Sequence, residues 1–179
     1  MNVYVGNSLI DRYAECVIME DACDLFEKMT QQNMVSWTSM ISGYTANRQY
    51  GEALNFFRQM QFTYVRKNSK ALNSLLLTCG NLAALVQGRE VHGEIIRSGF
   101  QFDVFVMNAI VDMYEKCGIM ENSHQVFDKM HEWNVVSWTT IVAGYAQNGD
   151  VEEAHNLFHK IPNKEVLLWT SLIAGYTQN

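Results

Sequence analysis

The chain has 179 residues, a formal net charge of −6, 48% apolar residues and 18% charged residues. This composition can bury a core, which excludes a disordered tail, and the negative charge argues against an unpatterned affinity for nucleic acid. The sequence lacks the run of about 18 apolar residues that a membrane span needs. No Cys-x-x-Cys pair occurs among the four cysteines, which predicts reduced thiols without a zinc or disulfide framework.

One short wording recurs along the chain, as "NMVSWTSMISGY" at 33–44, "NVVSWTTIVAGY" at 134–145 and "EVLLWTSLIAGY" at 165–176. Aligning the intervening segments gives six units, which begin at Asn2, Asn33, Asn68, Asp103, Asn134 and Glu165. The first five units have lengths of 31, 35, 35, 31 and 31 residues. Self-similarity at such a period indicates a repeat architecture.

Each unit is predicted to form two helices. Apolar residues recur at helical spacing in the first helix, as in Ile110, Met113 and Tyr114. In the second helix, Ala154 and Leu157 belong to a single apolar stripe whose opposite face is mostly polar. No unit can bury such a stripe alone, so the units are expected to stack into a solenoid.

Two columns of the alignment predict core packing, and a third predicts the turn between the helices. Position 21 of the unit holds a small residue, which is Ala22, Ala53, Ser123 or Ala154. Position 25 holds a phenylalanine, which is Phe26, Phe57, Phe127 or Phe158. At the turn, Gly118 and Gly149 suit a positive φ, whereas Val17 and Arg48 predict less ideal turns.

The wording of these units resembles the pentatricopeptide repeat family, most specifically in "DVFVMNAIVDMYEKCGIMENSHQVFDKM" at 103–130 and "NLAALVQGREVHGEIIRSGF" at 81–100. The second of these segments is similar to the long variant repeat. The resemblance implies an all-α fold, a right-handed α-solenoid of helix-turn-helix repeats. The mixed repeat lengths resemble the plant PLS subclass, here without its C-terminal E/DYW region.

The resemblance also assigns a type to each unit. Short repeats are expected at 2–32, 103–133 and 134–164. A repeat of standard length is expected at 33–67, a long repeat at 68–102, and a truncated repeat with only its first helix at 165–179.

In this family, position 6 of one repeat and position 1 of the next select one base of single-stranded RNA. Position 6 holds Asn7, Thr38, Asn73, Asn108, Thr139 and Thr170, and the position 1 partners are Asn33, Asn68, Asp103, Asn134 and Glu165. Position 3 flanks the base with an apolar side chain, here Tyr4, Val35, Phe105, Val136 and Leu167. Lys70 departs from that pattern in the long repeat. One early Asn or Thr is more simply a helix cap, but six in register favour recognition.

Carrying the family's code over predicts the RNA sequence 5′-Y-A-U-Y-R-3′. Asn7 with Asn33, and Asn108 with Asn134, imply C or U. Thr38 with Asn68 implies A, and Asn73 with Asp103 implies U more weakly. Thr139 with Glu165 departs from the usual partners and leaves an unassigned purine.

The acidic charge predicts weak RNA affinity for this stretch alone. The excess acid lies on the second helices, which are expected to line the convex side, so the concave side is close to neutral. The family's phosphate-contacting lysine at position 14 is kept only as Lys116.

Two histidine patterns resemble catalytic motifs incompletely. The His-x-Glu of His92 and Glu94 matches half of a zinc deaminase signature, but no Pro-Cys-x-x-Cys follows. His155 and His159 are spaced to chelate a metal, but the glutamate of a His-Glu-x-x-His site is missing. We therefore expect no enzyme activity, no metal and no cofactor.

The sequence thus favours the specificity part of an organellar RNA editing or processing factor, in a mitochondrion or chloroplast. Its expected partners are single-stranded organellar RNA and a deaminase or other editing factor supplied in trans, without DNA or a membrane. A protein-binding scaffold like the tetratricopeptide repeats is the alternative, although those repeats use 34-residue units and another wording. A third interpretation is a truncated, non-functional fragment that still folds.

Overall fold

A computed structural model describes residues 2–161, in which ten α-helices follow one another without any strand. They are α1 (Val3–Glu15), α2 (Met19–Lys28), α3 (Met34–Ala46), α4 (Tyr50–Gln61), α5 (Ser69–Asn81), α6 (Leu85–Ser98), α7 (Val104–Lys116), α8 (Met120–Asp128), α9 (Val135–Gln147) and α10 (Val151–Lys160). The predicted all-α class is confirmed. None of these helices is long and apolar enough to cross a membrane.

The helices fall into two compact units, unit 1 over Met1–Leu82 and unit 2 over Ala83–Asn179. In unit 1, α1, α3 and α5 pack side by side in one layer, and α2 and α4 pack against that layer. In unit 2, α7 and α9 form one layer, and α6, α8 and α10 pack against it. Within each unit, consecutive helical hairpins therefore stack, as expected of a solenoid.

The two predicted packing columns are buried in both units. Ala22, Ala53, Ser123 and Ala154 are all fully buried, and Phe26, Phe57, Phe127 and Phe158 are each no more than 4% exposed. The Ser123 hydroxyl avoids an unpaired buried polar group by donating to the carbonyl oxygen of Val111 at 3.1 Å. The small residue and the ring thus occupy the place between helices that the alignment predicts for them.

The turns between paired helices all require a left-handed residue. Gly118 and Gly149 have φ of 73° and 87°, as predicted for glycine. Val17 and Arg48 take the same region with φ of 63° and 58°, and Ala83 does so with φ of 49°. The less ideal turns expected at Val17 and Arg48 are therefore confirmed, and Ala83 adds a third.

Candidate nucleic-acid interface

The first residue of each of the first five aligned units is the N-cap of an odd-numbered helix. In every case, its side-chain oxygen accepts a backbone N–H of the first helical turn: Asn2, Asn33, Asn68, Asp103 and Asn134. Ser36 and Ser137 complete capping boxes with Asn33 and Asn134. These side chains satisfy N–H groups that the helix leaves unpaired, which explains why the helices begin at these residues.

The position 6 side chains contact the N-cap of the following repeat. Asn7 Nδ2 donates to Asn33 Oδ1 at 3.3 Å in unit 1. Asn108 Nδ2 donates to Asn134 Oδ1 at the same distance in unit 2. The structure thus brings together two of the residue pairs that the sequence predicts, and it does so with one geometry.

The hydrogen bonds of the cap decide which atoms of the pair stay available. Asn33 Oδ1 accepts from the backbone N–H groups of Val35 and Ser36 at 2.9 and 3.1 Å, so the amide orientation is fixed and Nδ2 is left without a bond among residues 2–161. Asn7 must therefore present its own Nδ2 to that oxygen. Its Oδ1 is left as an acceptor without a partner among the described residues.

This unpaired acceptor recurs in the asparagines of position 6. Among residues 2–161, four buried side-chain oxygens lack a hydrogen-bond partner. Three of them are the Oδ1 atoms of Asn7, Asn73 and Asn108, and the fourth belongs to Gln101. Because buried polar atoms are nearly always paired, an exception that recurs in three repeats distinguishes position 6 from most other buried positions.

The threonine pair has related geometry. Thr38 Oγ1 donates to the carbonyl oxygen of Met34 at 2.7 Å and lies 3.2 Å from Asn68 Oδ1. Thr139 Oγ1 makes the same bond within its helix, to the carbonyl oxygen of Val135 at 2.7 Å. Each hydroxyl directs its hydrogen toward the protein, which leaves oxygen lone pairs to accept a further bond.

The position 3 side chains are exposed although they are apolar. The exposed fractions are 79% for Tyr4, 71% for Phe105, 54% for Val136 and 43% for Val35. Each lies in the first turn of its helix, two residues after the N-cap. Apolar surface next to an unpaired hydrogen-bonding group is suited to the face and edge of a nucleobase. Lys70, at the same position of the long repeat, is also exposed.

The other predicted pairs are divided between the two units or extend beyond the described residues. Asn73 belongs to unit 1 and Asp103 to unit 2. Asp103 caps α7 by accepting from the backbone of Phe105 at 2.9 Å. Glu165, Leu167 and Thr170 lie outside the described residues.

The predicted phosphate contact, Lys116, already has a counterion. Its Nζ lies 2.8 Å from Asp112 Oδ2, one helical turn away on α7. The neighbouring Glu115 is buried, and this burial raises its pKa to about 7, with a smaller contribution from Asp112 that Lys116 opposes. This end of α7 therefore offers little net positive charge to a phosphate.

The histidines that resemble catalytic motifs have partners within the protein. His92 lies in α6, 3.1 Å from the Tyr114 hydroxyl, and burial lowers its pKa. Glu94 forms an ion pair with Arg97 at 2.8 Å. The Nε2 atoms of His155 and His159 lie 3.1 Å apart. Across residues 2–161, no group of three or more His, Cys, Asp or Glu side chains is placed to hold a metal.

Sequence reasoning missed two features of this surface. It treated capping and base selection as competing roles, whereas the structure assigns capping to the position 1 oxygens and leaves the amide nitrogen of an asparagine available. It also did not single out Glu115, although that residue stands in a column that otherwise holds Ala14, Thr45, Gly80 and Ala146. One acid in a column of small residues is the signal that would have revealed it.

Comparison with known proteins decides the family. The family model described as the PPR repeat matches residues 7–34, 35–62, 105–135 and 136–166, which together are more than half of the chain. The chain belongs to the pentatricopeptide repeat family. A pentatricopeptide repeat-containing protein of Arabidopsis thaliana is 39% identical over 138 residues, which are 77% of this chain and 19% of that protein.

Further relatives in the family carry organelle names. One from Arabidopsis thaliana named mitochondrial is 37% identical, over 76% of this chain and 25% of its own length. Another named chloroplastic is 38% identical, over 76% of this chain and 16% of its own length. The chain therefore spans a quarter or less of each of these curated relatives.

A solved structure shares the fold. The crystal structure of the pentatricopeptide repeat protein PPR10 from maize aligns with a TM-score of 0.79 at 17% identity. The alignment covers 99% of this chain and 27% of that chain. At this identity the likeness concerns the fold alone.

Proposed function

We propose that this chain binds single-stranded RNA sequence-selectively, at one base per repeat, as the specificity part of an organellar RNA editing or processing factor. The observation that carries the proposal is the recurring side-chain pair across consecutive repeats. Asn7 with Asn33 and Asn108 with Asn134 have the same hydrogen bond at 3.3 Å and the same unpaired Oδ1.

The free atoms of such a pair match a base edge. The position 6 Oδ1 accepts and the position 1 Nδ2 donates, so the pair complements a base that presents a donor beside an acceptor. Cytosine does so with its N4 amino group and N3, and uracil does so with its N3–H and a carbonyl oxygen. Both purines also present a donor beside an acceptor, so the expected pyrimidine opposite both Asn–Asn pairs rests on the code of the family, while Thr38 with Asn68 presents a hydroxyl oxygen instead.

The remaining elements of the proposal follow from the exposed position 3 residues and from the relatives. Exposed apolar side chains such as Tyr4 and Phe105 would flank each base, since stacking on protein side chains contributes about 1–3 kcal/mol per base. The names of related proteins favour a mitochondrion or a chloroplast. Any deaminase chemistry would come from another domain or from a partner protein, and this stretch would only select the site.

The test changes one predicted pair. The expected target is 5′-Y-A-U-Y-R-3′, and the variant N108T/N134D should move the preference at its fourth base from C or U toward G. Fluorescence anisotropy with RNAs that contain CAUCA or CAUGA should give a ratio of dissociation constants that changes by about tenfold, the range of one good base contact. The fold should tolerate the change, because Thr38 and Asp103 already occupy the same positions in other repeats.

The matched control makes the same two chemical changes elsewhere. The variant N55T/N156D alters exposed asparagines of α4 and α10 and should bind both RNAs as the wild type does. Equal binding of the target and of a scrambled RNA by the wild-type chain would overturn the proposal. Under the alternative of a peptide-binding scaffold, neither double variant should change any preference among RNAs.

A further inference from the structure

A cleft between consecutive second helices of unit 1 is a candidate binding site apart from the proposed RNA columns. It lies between α2 and α4, has a volume of about 570 Å³, and α3 forms its floor. We define the aromatic cleft by six of the residues that line it: Phe26, Glu27, Trp37, Tyr44, Glu52 and Phe56.

The four aromatic rings form one rigid cluster. Phe26 meets Trp37 and Phe56 edge-on, with ring centroids 4.8 and 5.3 Å apart. Tyr44 lies 5.3 Å from Phe56. Each ring is at most 6% exposed, so mutual packing fixes its orientation before any ligand arrives.

Two carboxylates stand at the opening of the aromatic cleft. Glu27 on α2 and Glu52 on α4 are both exposed, and neither pairs with a cation among residues 2–161. Their nearest polar contacts are weak ones, to the Cys23 thiol at 3.9 Å and to Asn55 Nδ2 at 3.4 Å. The pKa of Tyr44 is raised, chiefly by burial and by Cys23, and both carboxylates add to the shift, which indicates that their field reaches the floor of the cleft.

The equivalent cleft between α6 and α8 in unit 2 has different chemistry. It measures about 300 Å³ and contains Lys129 and Asn122 where the aromatic cleft has Gln59 and Glu52. Met107 and Val126 replace the rings of Trp37 and Phe56. The cleft between α6 and α8 therefore lacks this combination of aromatic walls and two carboxylates, whereas the α8–α10 positions aligned with Glu27 and Glu52 also hold acids, Asp128 and Glu153.

A third equivalent position shows what kind of group fits among such rings. In unit 2, Phe127 and Trp138 meet at 5.0 Å, as Phe26 and Trp37 do in unit 1. The indole of Trp133 packs on both, with centroids 5.8 and 6.2 Å away, and donates its N–H to the carbonyl oxygen of Phe127 at 3.0 Å.

In unit 1, Gln32 stands where unit 2 has Trp133. It makes the same hydrogen bond, from Nε2 to the carbonyl oxygen of Phe26 at 3.0 Å, but it has no ring. The aromatic cleft thus keeps the space that unit 2 fills with a flat N–H-bearing group of its own. Two carboxylates beside that space favour a flat group that is also a cation.

We propose that the aromatic cleft binds the guanidinium group of an arginine side chain presented by a partner protein. A guanidinium is flat, stacks on aromatic rings and directs its N–H donors in a fork that suits two carboxylates. An ammonium group is attracted to the face of an aromatic ring, but it has no plane of its own that could stack on the ring. RNA carries no such cation, and Glu27 and Glu52 repel its phosphates, so this site is independent of the proposed RNA binding.

The test uses the 179-residue chain and three capped tripeptides that differ only in the central residue, arginine, lysine or citrulline. The ¹H–¹⁵N signal of the Trp37 indole, assigned with W37F, reports the cleft. The arginine peptide should shift this signal saturably, the lysine peptide should bind several-fold more weakly, and the neutral citrulline peptide should have no effect. No shift at about 50 mM arginine peptide, or equal binding by lysine or citrulline, overturns the proposal.

Two variants separate the carboxylates from the fold. E27Q/E52Q should weaken arginine binding about tenfold, as expected for the loss of two exposed charge pairs, whereas E20Q/E90Q removes two exposed acids elsewhere and should leave binding unchanged. Q32W copies the arrangement around Trp133 and should abolish binding without a change of charge. Unaltered binding by E27Q/E52Q or by Q32W, with the fold retained, would contradict the site.

Discussion

Unit 1 and unit 2 use the same turn geometry with different residues. Unit 1 places Val17 and Arg48 at φ of 63° and 58°, where unit 2, apart from Ala83 at its first residue, places Gly118 and Gly149 at 73° and 87°. A β-branched residue avoids this conformation on its own, so packing of the paired helices must impose it in unit 1. The comparison teaches that the stack of helices, and not the local sequence alone, determines the turn.

The contact between the first helices of consecutive repeats also differs between unit 1 and unit 2. Gly43 of α3 faces Ala14 of α1, and a Cβ added at Gly43 would lie 2.8 Å from the Ala14 Cβ. Gly144 of α9 faces Glu115 of α7, and a Cβ there would lie 2.7 Å from the Glu115 Cγ. Both units need close approach at this glycine, but only unit 2 has a carboxyl group at the contact. Unit 2 therefore carries a dependence on pH that unit 1 lacks at this position.

The largest expected effect comes from Glu115. Its pKa is raised from 4.5 to about 7 by burial, so the folded state holds a proton that the unfolded state releases between those pH values. The free energy of unfolding must then fall as pH rises through this window, by up to about 3 kcal/mol for this group. E115Q should match the wild type near pH 4 and exceed its stability at pH 8.

Urea unfolding of both proteins from pH 4 to pH 8 measures this difference. The exposed acid Glu90 gives a control, since E90Q should follow the wild-type pH dependence. Parallel curves for E115Q and the wild type would show that Glu115 is ionised in the folded state at neutral pH. The contrast between the two contacts would then be one of shape alone.

The second-largest effect is expected from alanine substitutions at the two glycines where the first helices approach closely. G43A should lower the free energy of unfolding by about 1–2 kcal/mol, because the Ala14 Cβ cannot move without its backbone and the overlap outweighs the gain in helix propensity. G144A should cost less, since the long side chain of Glu115 can turn away. Urea unfolding at one pH compares the two variants.

Gly51 supplies the matched control for this pair. It is also helical, but a Cβ added there meets nothing within 4 Å. G51A should therefore raise stability by up to about 1 kcal/mol through propensity. If G43A behaved like G51A, the close approach of α1 and α3 would not limit the packing of unit 1.

The sequence predicts the features that each repeat determines for itself. Helix positions, the buried Phe column and the positive φ at Gly118 and Val17 follow from periodicity and from the alignment of repeats. Two features that depend on a neighbouring repeat were not predicted. The burial of Glu115 depends on Gly144, and the contrast between Gln32 and Trp133 gains its meaning only from the rings that surround them.

The proposed base-selecting pairs could be predicted from the sequence only in part. The resemblance to the family, applied to the aligned repeats, proposes Asn108 with Asn134, and the structure adds the hydrogen bonds of both side chains. These bonds depend on the capping bonds of Asn134, which a list of aligned residues does not contain. The atomic contacts of such partners require coordinates, because their geometry depends on how closely the first helices of consecutive repeats pack.

The smallest expected effect concerns the turns between paired helices. V17G should raise the free energy of unfolding by about 0.5–1 kcal/mol, because relief of the left-handed strain exceeds the extra entropy that glycine gives the unfolded chain. Val17 is 69% exposed, so little apolar contact is lost. The reverse change, G118V, should lower stability, and R48G should gain less than V17G since arginine is not β-branched. Urea midpoints of the three variants rank these effects. A loss of stability in V17G would mean that the valine side chain holds the turn of unit 1 together, and the two units would then differ in how the turn is stabilised as well as in which residue forms it.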